Sequence, residues 1–332
     1  MCISHIKKIA SPLLLAATCG LAASPAHSAD DAARGYPSRP IRIVIGFTPG
    51  GQPDIVARMI APKLGEALGQ QIVIDNRPGA GGTLGTKIVV DATADGHTLL
   101  TSSSSHAIAP VIYAKLPYDP LKDLAGITTQ YTAAYVLVAS PTLNVKSVSE
   151  LVALAKASPG KINYSSAGTG SGTHFAAEVF KQATHIDAVH IPYKGIPEAL
   201  TDVVAGRVQF TVAPLGSSLS MVREGRLRGI AVTSLKRLAV HPNVPTVAES
   251  GYPGFHWNAW SAVFAPAKTP RAIIDKLNRE FVRQLNDTEI QQRMTALGIE
   301  AAPATPAQTD QFVASQITQV KQLAQKAGIQ AR

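Results

Sequence analysis

Two glycine-rich loops contain the residues of this chain that are best suited to bind an anion. In the first, the β-branched residues of segment 41–45 predict a buried strand. Gly50 and Gly51 then allow the backbone to turn tightly. Pro53 suits the first position of a helix, and Asp54 in the first turn complements the helix dipole. Because the unpaired N–H groups of a helix N-terminus attract negative charge, the loop predicts an anion site, although an ordinary strand-to-helix turn has the same pattern.

The second loop repeats this arrangement far along the chain. A short strand predicted at 162–164 leads into segment 165–174, in which glycines are mixed with serine and threonine. Ser171 is expected to cap the next helix, because its side-chain oxygen can accept a hydrogen bond from a first-turn N–H. His174 either orients the loop or reaches the ligand. The G-x-S-x-G pattern of a hydrolase nucleophile is absent, since Thr169 occupies its first glycine position.

Two further segments contain candidate polar groups. The serines at 102–105 follow a strand predicted at 97–101, and open α/β sheets bind ligands at the carboxyl ends of their strands. A third glycine-rich turn, 76–83, lacks the spacing of a nucleotide P-loop and of G-x-G-x-x-G. We interpret it as structural, with Arg77 near the cleft. The nine histidines have no ligand-like spacing, so neither a metal site nor a cofactor is expected.

The elements that must position these loops alternate between strands and helices. Such alternation with short crossovers predicts an α/β fold with a mainly parallel sheet that is covered on both faces. The pattern begins again at Tyr135, and a strand predicted at 255–264 returns to the first lobe. We therefore expect lobe 1 to comprise 30–132 and 255–332, with lobe 2 inserted as 133–254. Two chain crossings would allow hinge closure around a ligand in the cleft.

The first 29 residues have the layout of a secretory signal peptide. Lys7 and Lys8 precede a short apolar run, and the small residues after it predict cleavage following Ala29, or alternatively Ala26. The apolar run is too short to span a bilayer, and no other run approaches that length. We therefore expect residues 1–29 to direct the export of a soluble mature protein.

Composition restricts the remaining functions. The chain has 332 residues, 45% hydrophobic and 16% charged, which suits two globular domains. Its net charge of +9 favours anionic ligands, but the basic residues form no block, so nucleic acid is not an expected partner. Both cysteines, Cys2 and Cys19, lie in the predicted signal peptide, which leaves the mature chain without a thiol. The alternative of a lipoprotein Cys19 is disfavoured, because Thr18 precedes it where a small Gly or Ala is wanted.

Seven longer motifs extend over essentially the whole mature chain. They are YPSRPIRIV at 36–44, FTPGGQPD at 47–54, DNRPGAGG at 75–82, LPYDP at 116–120, GTGSGTH at 168–174, HIPYKG at 190–195 and APAKTP at 265–270. In this order they resemble the substrate-binding proteins of tripartite tricarboxylate transporters, the Bug or TctC family. The resemblance implies a two-lobed, type II-like periplasmic-binding-protein (Venus flytrap) fold with an inserted second lobe and a central ligand cleft. It also implies a location in the periplasm of a Gram-negative bacterium.

The resemblance also implies which residues hold the ligand. In this family the loops that match 47–54 and 166–174 enclose one ligand carboxylate, partly through ordered water, which agrees with the two helix N-termini described above. Together with the serines and the distal wall, the predicted ligand-binding residues are Phe47, Thr48, Pro49, Gly50, Gly51, Gln52, Asp54, Ser103, Ser104, Ser166, Ala167, Gly168, Thr169, Gly170, Ser171, His174, Tyr193, Ala213 and Pro214.

One departure from the family pattern bears on the ligand. Many members have an aspartate where this chain has Ala213 and Pro214, and the loss of that carboxylate argues against a ligand with a free ammonium group. The distal pocket is then expected to be more apolar. Candidates for its wall are Phe47, Tyr193, Trp257 and Trp260, with the core as the alternative place for the two tryptophans.

These features predict reversible capture of a small organic carboxylate for delivery to the inner-membrane subunits of a tripartite tricarboxylate-type transporter. One alternative is a periplasmic sensor, whose closed form signals to a membrane receptor such as a sensor kinase. Another alternative, an exported hydrolase or transferase, lacks support, because neither Ser166 nor Ser171 has a histidine and an acid at a recognisable spacing. We therefore expect a monomeric binding protein that is not an enzyme.

Overall fold

The strand that precedes the first glycine-rich loop is buried along almost its whole length, and the first lobe is built around it. The structure, a computed structural model, describes residues 34–326 together with Ile329 and Ala331. The predicted signal peptide at 1–29 and both cysteines lie outside these residues.

Strands and helices alternate along the chain, as predicted. Up to residue 112 the elements are β1 (Ile41–Ile45), α1 (Gln52–Leu68), β2 (Ile72–Asn76), α2 (Thr83–Val90), β3 (Thr98–Ser103) and α3 (Ser105–Ile112). From 124 to 232 they are β4 (Leu124–Ala139), α4 (Val148–Ala157), β5 (Ile162–Ser166), α5 (Gly172–Thr184), β6 (Ala188–Pro192), α6 (Ile196–Val204), β7 (Phe210–Pro214), α7 (Leu215–Arg223) and β8 (Arg228–Val232). The chain then forms β9 (Asn258–Pro266), α8 (Arg271–Leu285), α9 (Thr288–Ala296), β10 (Ile299–Ala301) and α10 (Pro306–Lys326).

The strands form a mixed sheet in the order β2-β1-β3-β9-β4-β7-β5-β6, with β8 and β10 paired to β4. β1 is parallel to β2 and β3, and β5 is parallel to β6 and β7. The pairs that join these two groups through β9 and β4 are antiparallel. The expectation of a mainly parallel sheet is therefore wrong, because the strands that carry the chain between the lobes run against their neighbours.

β4 belongs to both lobes. Its residues 124–134 pair with β9, and residues 135–139 pair with β7. With 16 residues, β4 is long enough to pass from the β9 side of the sheet to the β7 side. The strand predicted to begin at Tyr135 begins instead at Leu124. We call the part around β1, β2, β3 and β9 the first lobe, and the part around β5, β6, β7 and β8 the second lobe.

Each lobe covers its sheet with helices. In the second lobe, α6, α7 and β8 pack against Val136 and Val138 of β4 in a separate hydrophobic cluster. Helices α3, α7 and α9 were not predicted individually. Among the residues that the structure describes, no helix has the length and apolar character needed to cross a bilayer.

Candidate ligand-binding site between the two lobes

A small cavity lies where the two glycine-rich loops meet. Its volume is about 50 Å³, which is space for roughly three to five water molecules. The first lobe contributes Phe47, Gly51, Gln52, Pro53, Ser103, Tyr131, Ala259 and Trp260 to its walls. The second lobe contributes Tyr135, Ala167, Ser171, Gly172, Thr173, Ile196 and Pro214. None of these side chains carries a formal charge.

Three larger hollows, of about 720, 500 and 450 Å³, are open at the surface. The largest lies on the outer side of α1 beside β2, and the other two lie beside β10. None is lined by a residue of either glycine-rich loop. The small cavity is therefore the candidate site, because it is where both helix N-termini predicted to attract an anion come together.

The first loop is held in place by Asp54. Gly51 is extended and precedes α1, and no side chain caps this helix. The buried Asp54 carboxylate accepts a hydrogen bond from Gly50 N at 2.9 Å and from Arg58 Nε at 3.0 Å. The Asn76 side-chain amide donates to the Phe47 carbonyl at 3.0 Å. The Asp54 carboxylate thus holds the loop without lining the cavity, and residues of the first turn of α1 border the cavity.

The second loop is held by its own hydroxyl groups. Ser171 caps α5 by accepting a hydrogen bond from His174 N at 3.2 Å, which confirms the predicted cap. Thr173 Oγ1 accepts from Ala167 N at 2.8 Å, and Ser166 Oγ accepts from Gly168 N at 3.0 Å. These bonds shape the loop so that the N-terminus of α5 borders the cavity.

His174 lies behind this loop and is buried. Its Nδ1 atom accepts a hydrogen bond from Gly170 N at 3.4 Å, and its ring lies 4.3 Å from that of His190 between centroids. His190 Nε2 is 2.6 Å from Ser166 Oγ. Of the two roles expected for His174, this placement favours orientation of the loop.

The two lobes touch each other around the cavity. Thr48 Oγ1 donates a hydrogen bond to Glu198 Oε2 at 3.0 Å, and the Tyr113 hydroxyl donates to the Thr169 carbonyl at 2.8 Å. A Cβ atom added to Gly81 would lie 2.2 Å from that same carbonyl oxygen. The glycine-rich turn at 76–83, interpreted as structural, therefore packs directly against the second loop.

Comparison with known proteins identifies the family. Residues 56–329 match the family described as "Tripartite tricarboxylate transporter family receptor", TctC. The chain belongs to the TctC family. It is 39% identical over 303 residues to the protein BugT of Bordetella pertussis, covering 91% of each chain. It is 36% identical over 272 residues to a protein encoded in the tcbD-tcbE intergenic region of Pseudomonas sp. (strain P51), covering 82% of this chain and 81% of the relative.

Solved structures confirm the predicted two-lobed periplasmic-binding-protein fold of this TctC-family protein. The periplasmic binding protein BugD and R. palustris Rpa4515 with adipate each have a TM-score of 0.87 and 32% identity, covering 90% of this chain and 100% of theirs. MatC (Rpa3494) from Rhodopseudomonas palustris with bound malate has a TM-score of 0.82 and 31% identity, covering 87% and 99%. The chain is thus a solute-binding protein by family.

The structure brings some of the predicted site residues of this TctC-family protein to the cavity and places others around it. Those that line the cavity are Phe47, Gly51, Gln52, Ser103, Ala167, Ser171 and Pro214. Those that support the loops or lie outside the cavity wall are Thr48, Pro49, Gly50, Asp54, Ser104, Ser166, Gly168, Thr169, Gly170, His174, Tyr193 and Ala213.

The aromatic residues proposed for the wall of the distal pocket also divide between the cavity and its surroundings. Trp260 lines the cavity, whereas Trp257 packs against Phe175 with ring centroids 4.9 Å apart. The Tyr193 hydroxyl donates to Asp202 within the second lobe, at 2.5 Å. Partial burial and the Asp202 carboxylate together raise the pKa of Tyr193 to about 12. Arg77, expected near the cleft, forms an ion pair with Asp75.

Sequence reasoning missed several cavity residues. They are Pro53, Tyr131, Tyr135, Gly172, Thr173, Ile196 and Ala259. Tyr131 and Tyr135 are four residues apart in β4, and even spacing in a strand places side chains on one face. Recognition of β4 as one long strand would therefore have found both. Burial raises the pKa of each phenol well above its ordinary value, so both act as neutral hydrogen-bonding groups.

The described residues give no sign of a metal centre. Within 34–326, no group of three or more His, Cys, Asp or Glu side chains could hold a metal ion. What the site does offer is two helix N-termini, buried aromatic rings and a few hydroxyl and amide groups, an arrangement suited to binding a small anion.

Proposed function

We propose that this protein binds a small organic carboxylate in the cavity between its lobes and delivers it to the membrane subunits of a tripartite tricarboxylate-type transporter. The observation that carries the proposal is the meeting of the N-termini of α1 and α5 at one uncharged cavity. Each terminus contributes about 0.3–2 kcal/mol toward an anion, so the pair is needed. The bound adipate and malate of two structural neighbours support the same ligand class.

We further propose that the lobes are divided at 133 and 254, that residues 1–29 direct export to the periplasm, and that the bound ligand leaves chemically unchanged. The change of β4 partners after Ala134 supports the first boundary. Mass spectrometry of candidate acids before and after incubation with the protein tests whether the ligand leaves chemically unchanged. Conversion of any acid would contradict that part of the proposal.

The ligand class is tested by a thermal-shift screen of small carboxylates, followed by calorimetry on those that stabilise the protein. A ligand that binds the folded form raises its melting temperature. We expect organic acids to do so and the corresponding amides to have no effect. A screen in which no acid stabilises the protein would contradict the proposal.

The position of the carboxylate is tested at Ser171 by two variants of matched size. Asp and Asn both cap helices well, so Ser171→Asp and Ser171→Asn should melt at similar temperatures. The aspartate adds a like charge beside the ligand, and such a pair at 4 Å is worth about 1–4 kcal/mol in a partly screened site. We expect S171D to bind the selected acid at least about tenfold more weakly than S171N. Equal affinities would place the carboxylate elsewhere.

A further inference from the structure

Two histidines stack on each other beneath the second glycine-rich loop. The rings of His174 in α5 and His190 in β6 have centroids 4.3 Å apart and are tilted by 31°. His174 is buried, and neither side chain lines the cavity. Histidine is the side chain whose ordinary pKa, about 6.5, lies within the range in which solution pH commonly varies. What the pair can hold in place therefore depends on whether it has bound a proton.

Each ring is connected to one backbone N–H group of the loop. His174 Nδ1 accepts a hydrogen bond directly from Gly170 N at 3.4 Å. His190 Nε2 lies 2.6 Å from Ser166 Oγ, which in turn accepts from Gly168 N at 3.0 Å. Gly168 and Gly170 have φ values of 110° and 79°, which glycine adopts without strain. The two imidazoles therefore hold the backbone at two points of the segment that leads into α5.

The bond from Gly170 determines where the proton of a neutral His174 lies. A ring nitrogen that accepts an N–H bond carries no proton, so the proton of the neutral ring is on Nε2. Binding of a second proton would place a hydrogen atom on Nδ1, and two N–H groups would then face each other. The buried Gly170 N–H would also lose its acceptor, which destabilises this arrangement. The present shape of the loop therefore requires a neutral His174.

The ionisable groups around the pair favour a proton on His174 over one on His190. Glu178 lies one helical turn beyond His174 on α5. Burial opposes ionisation of the Glu178 carboxyl group, but hydrogen bonds from Tyr164 and Lys181 hold its pKa below the ordinary value, and the charges of Lys181 and His174 act in the same direction. His190 is instead stacked on the Tyr164 ring, with centroids 4.9 Å apart. An imidazolium at His174 thus has a counter-charge, and it repels a further proton from the stacked ring.

We propose that His174 and His190 are positioning residues of the binding site, and that they hold the second loop in its binding form only while His174 is neutral, an inference that rests on the proposed function. Proton uptake by His174 releases Gly170 and loosens the N-terminus of α5, so the affinity for a carboxylate falls as the pH is lowered. The attraction of an imidazolium for an anion acts in the opposite direction. That attraction is small, because Glu178 offsets the charge and His174 lies outside the cavity wall.

The proton arrangement is tested first in the ligand-free protein. Nitrogen-15-labelled protein is titrated from pH 8 to pH 5.5, and NMR follows the histidine ring nitrogens and the Gly170 amide. We expect His174 Nδ1 to be unprotonated at pH 8, and the Gly170 amide resonance to shift in step with protonation of His174. A proton on Nδ1 at pH 8, or a Gly170 resonance that does not respond to this titration, would overturn the inference.

Calorimetry at pH 8 and pH 5.5 then tests the effect on binding. The probes are adipate and malate and, where neither binds, the acid that stabilises the protein most in the thermal-shift screen. We expect the wild type to bind about three- to tenfold more weakly at pH 5.5. His174→Asn keeps an acceptor for Gly170 N and does not titrate in this range, so its affinity should differ less than about twofold between the two pH values. Titration of the acid itself affects every variant alike.

Three further variants separate positioning from a merely structural role. His174→Phe keeps a ring without an acceptor and should bind more weakly than H174N at pH 8. His190→Gln keeps a group that can bond Ser166, and it should retain the pH dependence of the wild type. His185→Asn is the matched control, because His185 is an exposed histidine at the end of the same helix with a φ of 54°, which asparagine tolerates. It should also retain the pH dependence.

Two results of the binding measurements would overturn the inference and leave capture of a carboxylate standing. One is a pH dependence in H174N as steep as that of the wild type, which would show that another group titrates. The other is equal affinity of H174N and H174F at pH 8, which would show that the bond from Gly170 does not affect binding. Failure of the proposed function is recognised separately, by a thermal-shift screen in which no organic acid stabilises the protein, whereas the NMR titration needs no ligand.

Discussion

Asp54 was predicted to bind the ligand, but its carboxylate lies behind the first loop and not among the residues that line the cavity. It accepts hydrogen bonds from Gly50 N and from Arg58. The hydroxyls of Ser166 and Thr173 are used in the same way, as acceptors for backbone N–H groups of the second loop. Polar side chains therefore shape both loops, and the helix N-termini are what the loops present to an anion.

Removal of the Asp54 carboxylate should destabilise the protein more than it weakens binding. A hydrogen bond to a charged group contributes about 1.5–3 kcal/mol, and the half-exposed Arg58 adds little. We expect Asp54→Ala to lower the free energy of unfolding by about 1–3 kcal/mol in urea titrations. Asp54→Asn keeps an acceptor for Gly50 N and should lose less. A large loss of affinity in D54A with an unchanged melting temperature would show instead that Asp54 contacts the ligand.

At the scale of elements, α3 carries a histidine whose burial makes the stability of the protein depend on pH. His106 is fully buried, its ring lies 4.5 Å from that of Phe264 in β9, and its Nε2 atom is 3.3 Å from the Pro120 carbonyl. Burial lowers the pKa of His106 to about 4, because the charged imidazolium would lose its hydration.

The sign of the effect follows from this lowered pKa. Above about pH 6.5 the side chain is neutral in both states and stability is unaffected, whereas toward pH 4 the unfolded chain binds a proton that the folded protein excludes. Stability is therefore lost as the pH falls through this window, by up to about 3 kcal/mol. We expect His106→Phe and His106→Gln to show a shallower decrease in unfolding free energy between pH 7 and 4.5 than the wild type. A decrease as steep as that of the wild type in both variants would exclude His106 as the cause.

The sequence predicted the strands that precede the two glycine-rich loops, and the start of α1, because each has a clear hydrophobic period and a glycine or proline near its end. α1 illustrates this, since it begins after Gly51 and ends at Gly69 with a left-handed φ of 68°. The first part of β4 was missed because it is rich in polar residues. Thr128, Thr129 and Gln130 are buried there. The two threonine hydroxyls donate to the carbonyls of Ala304 and Ala302, and the Gln130 amide oxygen accepts from Ser261, all from segments far along the chain. Such compensation by distant residues has no local signal.

The same limit applies to the site. Both loops and the cap at Ser171 follow from local patterns, so they were predicted. Tyr135 and Ile196 reach the cavity only because β4 and α6 bring them there, and this depends on packing across the molecule. Residues that line a cavity through tertiary contact can be identified only once the fold is known. Residues that shape a turn can be identified from the local sequence.

At the scale of the whole molecule, the two lobes are joined across the cavity by a few specific contacts. Tyr113 bonds Thr169, Thr48 bonds Glu198, and Gln52 accepts a hydrogen bond from Gly216. Each contact joins residues on opposite sides of the cavity, so an opening of the cleft that separates the two sides would break it. These contacts therefore stabilise the closed form against the open one, and the apparent affinity for a ligand falls with any loss in the population of the closed form.

Removal of one hydroxyl group that bonds across the cleft tests this coupling between closure of the lobes and ligand affinity. Tyr113→Phe removes the bond to the Thr169 carbonyl and keeps the ring. A hydrogen bond of this kind contributes about 0.5–1.5 kcal/mol, so affinity for the selected acid should fall about two- to tenfold in calorimetry. The ligand-free variant should show a larger radius of gyration than the wild type in X-ray scattering. Tyr193→Phe is the matched control, because its hydroxyl bonds Asp202 within the second lobe, and it should change neither quantity. Equal losses of affinity in Y113F and Y193F, with no expansion of either, would show that the contact at Tyr113 does not couple closure to binding.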